Sequence, residues 1–173
     1  NFEDYKKYCL GHSVGALILG MNPDSEIFEE FIFVGTQNAF VGNLRLKTKI
    51  EAYLGFGIVQ PLFTLFLGYF PASWFGLGES LPSGSAFDWR ILILNKKSTN
   101  NLLEKSADFS KKLRQKVLVI WAEDDAWLTE KGVKSLLENT YANLRPTYRH
   151  IYTSESEKGE IGHINFFRSY NRK

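Results

Sequence analysis

Five residues, Gly11-His12-Ser13-Val14-Gly15, follow the short apolar stretch Tyr8-Cys9-Leu10 and lead into Ala16-Leu17-Ile18-Leu19. Strand, tight turn and helix in that succession constrain this chain more than any other feature. A serine on such a turn takes a strained backbone conformation that only small neighbours tolerate. On this reading Gly11 and Gly15 are glycines because side chains there would crowd the turn. The start of the helix then aims its backbone N–H groups, that of Val14 first, and the positive end of its dipole at the space above the Ser13 hydroxyl. An oxyanion forming there would be held.

A serine hydroxyl is a weak nucleophile at neutral pH, so the turn has chemical meaning only with a histidine base and an orienting carboxylate. The chain has three histidines. His12 lies inside the turn and cannot swing round to its neighbour's hydroxyl, so it reads as a packing or hydrogen-bonding residue. His150 sits in the alternating run Thr147-Tyr148-Arg149-His150-Ile151-Tyr152, which reads as a strand presenting a surface histidine. His163 follows the polar stretch 153–160 and is preceded by Gly162, which lets the backbone turn sharply at the imidazole; Phe166 and Phe167 behind it are expected to anchor the loop against the core.

For the carboxylate, Val117-Leu118-Val119-Ile120-Trp121 reads as a buried parallel strand ending in Ala122-Glu123-Asp124-Asp125. Acid at the carboxyl end of a strand is where open α/β sheets keep their chemistry. The same acids also suit a plain strand end, or the cap of the helix read from Thr129 to Glu138. The order serine, acid, histidine favours the chemical reading.

Strands are expected at about 7–10, 30–35, 117–121 and 147–152, with helices at about 14–21 and 129–139 and a closing helix after the histidine loop. Their alternation predicts an α/β fold with a mostly parallel sheet. Asn22-Pro23-Asp24 is a plausible stop for the first helix, because the residue before proline avoids helical backbone.

Taken together, the turn at 11–15, the strand and acids at 117–125, and Gly162-His163 followed by Phe166-Phe167-Arg168 resemble an α/β-hydrolase. The stretch from Phe70-Pro71 through Gly76-Leu77-Gly78-Glu79-Ser80-Leu81-Pro82 is similar to bacterial members of the esterase or lipase type. The resemblance implies Ser13 as nucleophile, His163 as base and Asp125 as the acid, with Asp124 as the alternate. It also implies Val14 N–H as an oxyanion donor and Gly11 and Gly15 as the elbow glycines. The implied activity is cleavage of a carboxylic ester with a hydrophobic acyl part through an acyl-enzyme. The implied partner is a small-molecule ester or lipid-like substrate, and neither metal nor organic cofactor is required. A thioesterase, an acyltransferase or a non-catalytic binding module on the same fold are the alternatives.

Family members carry several strands and helices ahead of the elbow, and one of these supplies a second oxyanion donor. By that comparison the chain is expected to be the carboxyl-terminal two-thirds of such a fold, lacking its N-terminal strands and weakly active by itself. The expected core is 1–36 with 113–173, and 37–112 is an apolar helical cap or lid.

Within that segment, no charged residue occurs between Ala52 and Gly78. Length alone would permit a membrane span. Pro61, Pro71 and the glycines at 55, 57, 68, 76 and 78 are expected to break the run into short pieces, giving no stable span but an aromatic wall over an apolar pocket. The formal net charge is +2 from 21 basic and 19 acidic residues, and no basic run is interleaved with aromatics. Nucleic acid is therefore not an expected partner. With Cys9 as the single cysteine there is no intrachain disulfide framework or thiolate metal site, and a cytoplasmic location is the expectation. No sequence feature fixes an oligomeric state.

Overall fold

The computed structural model describes residues 4–171, so the end residues of the expected core, 1–3 and 172–173, lie outside the described residues. Among the described residues the strands in chain order are β1 (Tyr8–His12), β2 (Glu30–Val34), β3 (Tyr69–Phe70), β4 (Leu81–Pro82), β5 (Lys116–Ala122) and β6 (Arg145–Ile151). One sheet has the order β1-β2-β5-β6 with every neighbouring pair parallel, while β3 and β4 form a separate antiparallel pair. The fold is thus α/β with a mostly parallel sheet, because helical connections return the chain to the same end of the sheet each time. The ladder runs on past the strand ends. Ser13 N–H donates to the Val34 carbonyl, Gly35 N–H to that of Ile120 and Glu123 N–H to that of Ile151, each at 2.9 Å. The turn after β1, the residues after β2 and the acidic turn after β5 are thereby held side by side.

Phe31 and Phe33 of β2 and Val117 and Val119 of β5 are buried against Leu136, Leu137 and Tyr141. The run 117–121 is expected to be buried on both faces, but Leu118 is exposed, as is Leu10 of β1. Period-2 alternation sends these side chains to the face that the core helices leave open.

Helix α1 (Val14–Leu17) continues only as a 3₁₀ turn, Ile18–Met21, in place of the longer expected helix. The wholly buried Tyr141 hydroxyl lies 2.7 Å from the Ala16 carbonyl and 3.1 Å from that of Leu17, and accepts from Gly20 N–H at 3.0 Å. These backbone groups are satisfied from outside the helix, which removes the reason to stay α-helical. Asn22 is extended, and its side chain accepts from Asp24 N–H, which marks the expected stop before Pro23.

Helices α2 (Leu46–Leu54) and α3 (Gln60–Leu67) are joined by a π-helical turn, Gly55–Val59, into 22 helical residues, so Gly55, Gly57 and Pro61 do not break the run as expected. Pro61 sits in the first turn of α3, where its missing N–H costs least. The wider π turn absorbs the misfit ahead of it, and the Phe56 carbonyl takes a 3.1 Å hydrogen bond from Arg90 Nε. The break comes at Gly68, whose φ of 77° ends α3. Among the described residues this is one helix long and apolar enough to cross a membrane by length and composition. Two more helices, α4 (Ser83–Leu94) and α5 (Thr99–Lys105), return the chain to β5.

Helix α6 (Glu130–Asn139) is capped by Thr129, whose Oγ1 accepts from Gly132 N–H at 3.0 Å and donates to the Asn43 carbonyl at 2.7 Å. The acids at 123–125 are not its cap. The expected closing helix is also absent from the described residues. Two 3₁₀ turns, Asn165–Phe167 and Ser169–Asn171, flank an extended Arg168 in its place. Segments this short gain too few hydrogen bonds to repay helix nucleation.

Candidate active site

Ser13 has φ 51° and ψ −121°, a conformation that costs a non-glycine residue about 1–3 kcal/mol. The hydrogen bond from its N–H to Val34 and the close packing of Gly11 on α1 hold it there. A Cβ on Gly11 would come within 2.8 Å of both Cα and N of Ala16, so this glycine is required by contact. Gly15 is different. A Cβ there would meet nothing within 4 Å, so the expected crowding holds at Gly11 and not at Gly15. Because α1 has only four residues, the charge at its start is that of its first few N–H groups rather than of a long helix.

The imidazole of His163 joins this serine to an acid. His163 Nε2 lies 2.9 Å from Ser13 Oγ, and His163 Nδ1 lies 2.7 Å from Asp125 Oδ2. Asp125 is fully buried, and its other oxygen accepts from Trp127 N–H at 2.9 Å. With Nδ1–H donated to the carboxylate, Nε2 presents its lone pair to the serine hydroxyl. Of the two acids, Asp125 therefore meets the imidazole.

Asp124 has another task. Its Oδ2 accepts from Ile161 N–H and its Oδ1 from Gly162 N–H, each at 2.9 Å, so this carboxylate grips the backbone just ahead of the histidine. Behind the histidine, His12 Nε2–H donates to the His163 carbonyl at 2.8 Å. The histidine is thus held on both sides, and His12 is the hydrogen-bonding residue its place in the turn suggested. Gly162 turns the chain with φ 61°. Gly35, with φ 58°, brings the backbone after β2 close to the imidazole, where a Cβ would stand 3.6 Å from His163 Cε1. Phe166 and Phe167 pack edge-on to the His12 ring, with Phe167 half exposed, so they steady the loop through His12 and not through the core. His150 lies apart from this group, half-buried and stacked on Trp121 with ring centroids 5.2 Å apart.

Ser13, Val14 and His163 line a cavity of about 350 Å³ whose remaining wall is mostly apolar. Leu44, Phe56, Phe70, Leu77, Trp89 and Leu92, all from the segment 37–112, belong to that wall, together with Trp127 and Leu128. Gln37 shapes it from outside the expected site, since its amide donates to the Trp127 carbonyl and its Oε1 accepts from Thr129 N–H at 3.1 Å. Thr36 also lines the cavity, and its buried hydroxyl has no hydrogen-bond partner among the described residues. Neither residue carries a sequence signal, because a polar residue after a strand is ordinary. Among the described residues no cluster of three or more His, Cys, Asp or Glu side chains is placed to hold a metal ion. Chemically, the arrangement offers a hydroxyl with an adjacent base, at the wall of a mostly apolar cavity.

No family model matches the sequence, and no curated protein matches it. Solved structures do resemble it. A monoacylglycerol lipase from Paleococcus ferrophilus is 12% identical, with a TM-score of 0.45 over 96% of this chain and 64% of that one. A bromoperoxidase from Bacillus anthracis is 17% identical, with a TM-score of 0.36 over 83% of this chain and 58% of that one. A thioesterase of the prodiginine biosynthetic pathway in Streptomyces coelicolor is 16% identical, with a TM-score of 0.34 over 83% and 53%. The chain spans less than two thirds of the length of each.

Proposed function

We propose that this chain carries the nucleophile, base and acid of a serine hydrolase that cleaves carboxylic esters with a hydrophobic acyl part. One observation carries the reading: Ser13, His163 and Asp125 form a continuous hydrogen-bonded line at the wall of an apolar cavity. Ser13 Oγ attacks the ester carbonyl while His163 Nε2 takes its proton. The C–O bond to the alcohol then breaks as the imidazolium returns that proton to the leaving alkoxide, leaving an acyl-Ser13 ester. Water attacks this ester with the same base, releasing the acid and restoring the serine. Asp125 holds the imidazole in the tautomer that accepts from serine and stabilises its cation, and Val14 N–H supports the oxyanion. The wall of Phe56, Phe70 and Trp89 favours an aliphatic or aromatic acyl group by burial of apolar surface.

Labelling with a fluorophosphonate tests this reading directly, since the reagent traps an activated serine even where turnover is slow. Ser13 is expected to be the labelled residue, with labelling absent in Ser13→Ala. A chain that unfolds cooperatively and never labels would remove the hydrolase reading and leave the cavity as a binding site.

A further inference from the structure

The long helix formed by α2 and α3 turns much of its apolar surface outward, although Phe56 and Phe63 pack partly inward. Along Leu46–Leu67 the side chains buried against the protein are Thr48, Ala52, Gln60 and Thr64, spaced in multiples of four. Facing outward are Ile50, Leu54, Ile58, Leu62, Leu65 and Phe66, the last two 73% and 85% exposed. A surface helix that meets only water shows the reverse arrangement. The inward polarity is ordered packing: Gln60 Nε2 donates to Thr64 Oγ1 at 3.0 Å, and Thr64 Oγ1 donates to the Gln60 carbonyl at 2.7 Å. Trp74, Phe75 and Leu77 are exposed as well, within the same charge-free stretch.

An apolar face of this extent marks contact with another protein or with lipid. Two observations select lipid. Arg45, Lys47 and Lys49 stand at the amino end of the helix against the single acid Glu51, a basic flank complementary to anionic headgroups. Leu77 belongs both to the exposed surface and to the cavity wall, and Phe56 of the same helix lines the cavity. The outer apolar surface and the chamber therefore meet at Leu77, which places the chamber beside the face that a bilayer would cover.

We infer that this face lies on an anionic lipid bilayer, with the helix parallel to the membrane plane and its outer side chains sunk to the headgroup and acyl boundary. The helix does not cross, because Thr48, Gln60 and Thr64 stay buried against the protein. This inference requires binding alone and does not depend on the hydrolytic reading.

Co-sedimentation of the full chain with vesicles of phosphatidylcholine, with and without phosphatidylglycerol, tests it. The chain is expected to pellet with the phosphatidylglycerol vesicles. Leu65→Ser combined with Phe66→Ser is expected to weaken that binding by at least about tenfold, since each side chain loses its apolar burial. Lys47→Glu, at a side chain that is 90% exposed and paired with Glu51 at 4.0 Å, is expected to weaken binding to the anionic vesicles by about fivefold or more and to leave the neutral ones unchanged. Thermal unfolding checks that both variants are folded, and labelling of Ser13 should be the same in all of them. Equal pelleting of wild type and double variant would overturn the inference, as would no pelleting with either lipid. So would self-association of the wild type that disappears in the double variant, because it assigns the face to a second copy of the chain.

Discussion

Tyr141 shows how one side chain sets the local structure behind the serine. Its buried hydroxyl serves the Ala16 and Leu17 carbonyls and Gly20 N–H, and so fixes where α1 ends. Burial pushes its phenol pKa up from the ordinary value near 10. A raised folded-state pKa means that the stabilisation is whole below the unfolded value and is lost as pH climbs beyond it. Stability should therefore hold between pH 7 and 9 and fall above about pH 10. Tyr141→Phe should cost about 1–3 kcal/mol at neutral pH, by leaving buried backbone groups without a partner, and should flatten that alkaline decline. Denaturant unfolding of both proteins across this pH range measures both effects. The sequence shows Tyr141 only as another aromatic near a helix end. Gly11 and Gly15 mark a similar limit: the motif names both, but only the backbone approach of Ala16 tells the required one from the other.

The four strands of the parallel sheet and helix α6 were legible because hydrophobic period states them locally, whereas β3, β4 and the Thr129 cap of α6 were not expected. The choice of Asp125 over Asp124 came from the resemblance and not from the residues themselves, since adjacent acids differ only in which way their side chains leave the turn. Asp125 points to the imidazole, while Asp124 takes the two N–H groups ahead of it, so the histidine loop is tied to the acidic turn by backbone as well as side chain. The two should separate by kind of defect. Asp125→Asn is expected to slow labelling of Ser13 by about 10⁴-fold with little change in fold, because the imidazole is left in the wrong tautomer. Asp124→Ala releases the loop, so labelling should fall less, by about 10- to 100-fold, alongside increased hydrogen exchange at Ile161 and Gly162. Equal exchange in Asp124→Ala and wild type would show that the loop is held by other means. The helix through Gly55, Gly57 and Pro61 was illegible for a different reason, since the π turn ahead of the proline is met by a tertiary contact, the hydrogen bond from Arg90 of α4 to the Phe56 carbonyl, that local sequence does not announce.

At the scale of the whole molecule, the parallel order β1-β2-β5-β6 brings together groups far apart in sequence. Ser13 and His163 are separated by 150 residues, as recorded by the hydrogen bond between them, and His12 meets the same loop across 151. Closing contacts over such distances is slow compared with forming the local helices. During refolding from denaturant, far-ultraviolet circular dichroism is expected to recover before Ser13 can be labelled, and simultaneous recovery would argue for a preformed site. If Ser13 is the nucleophile proposed above, it is no more reactive than an ordinary alcohol until the histidine loop docks. On the proposed reading the wiring works as an interlock: Ser13 gains its base only when the line to His163 is complete, so a chain that stops short of residue 163 has no base to offer it.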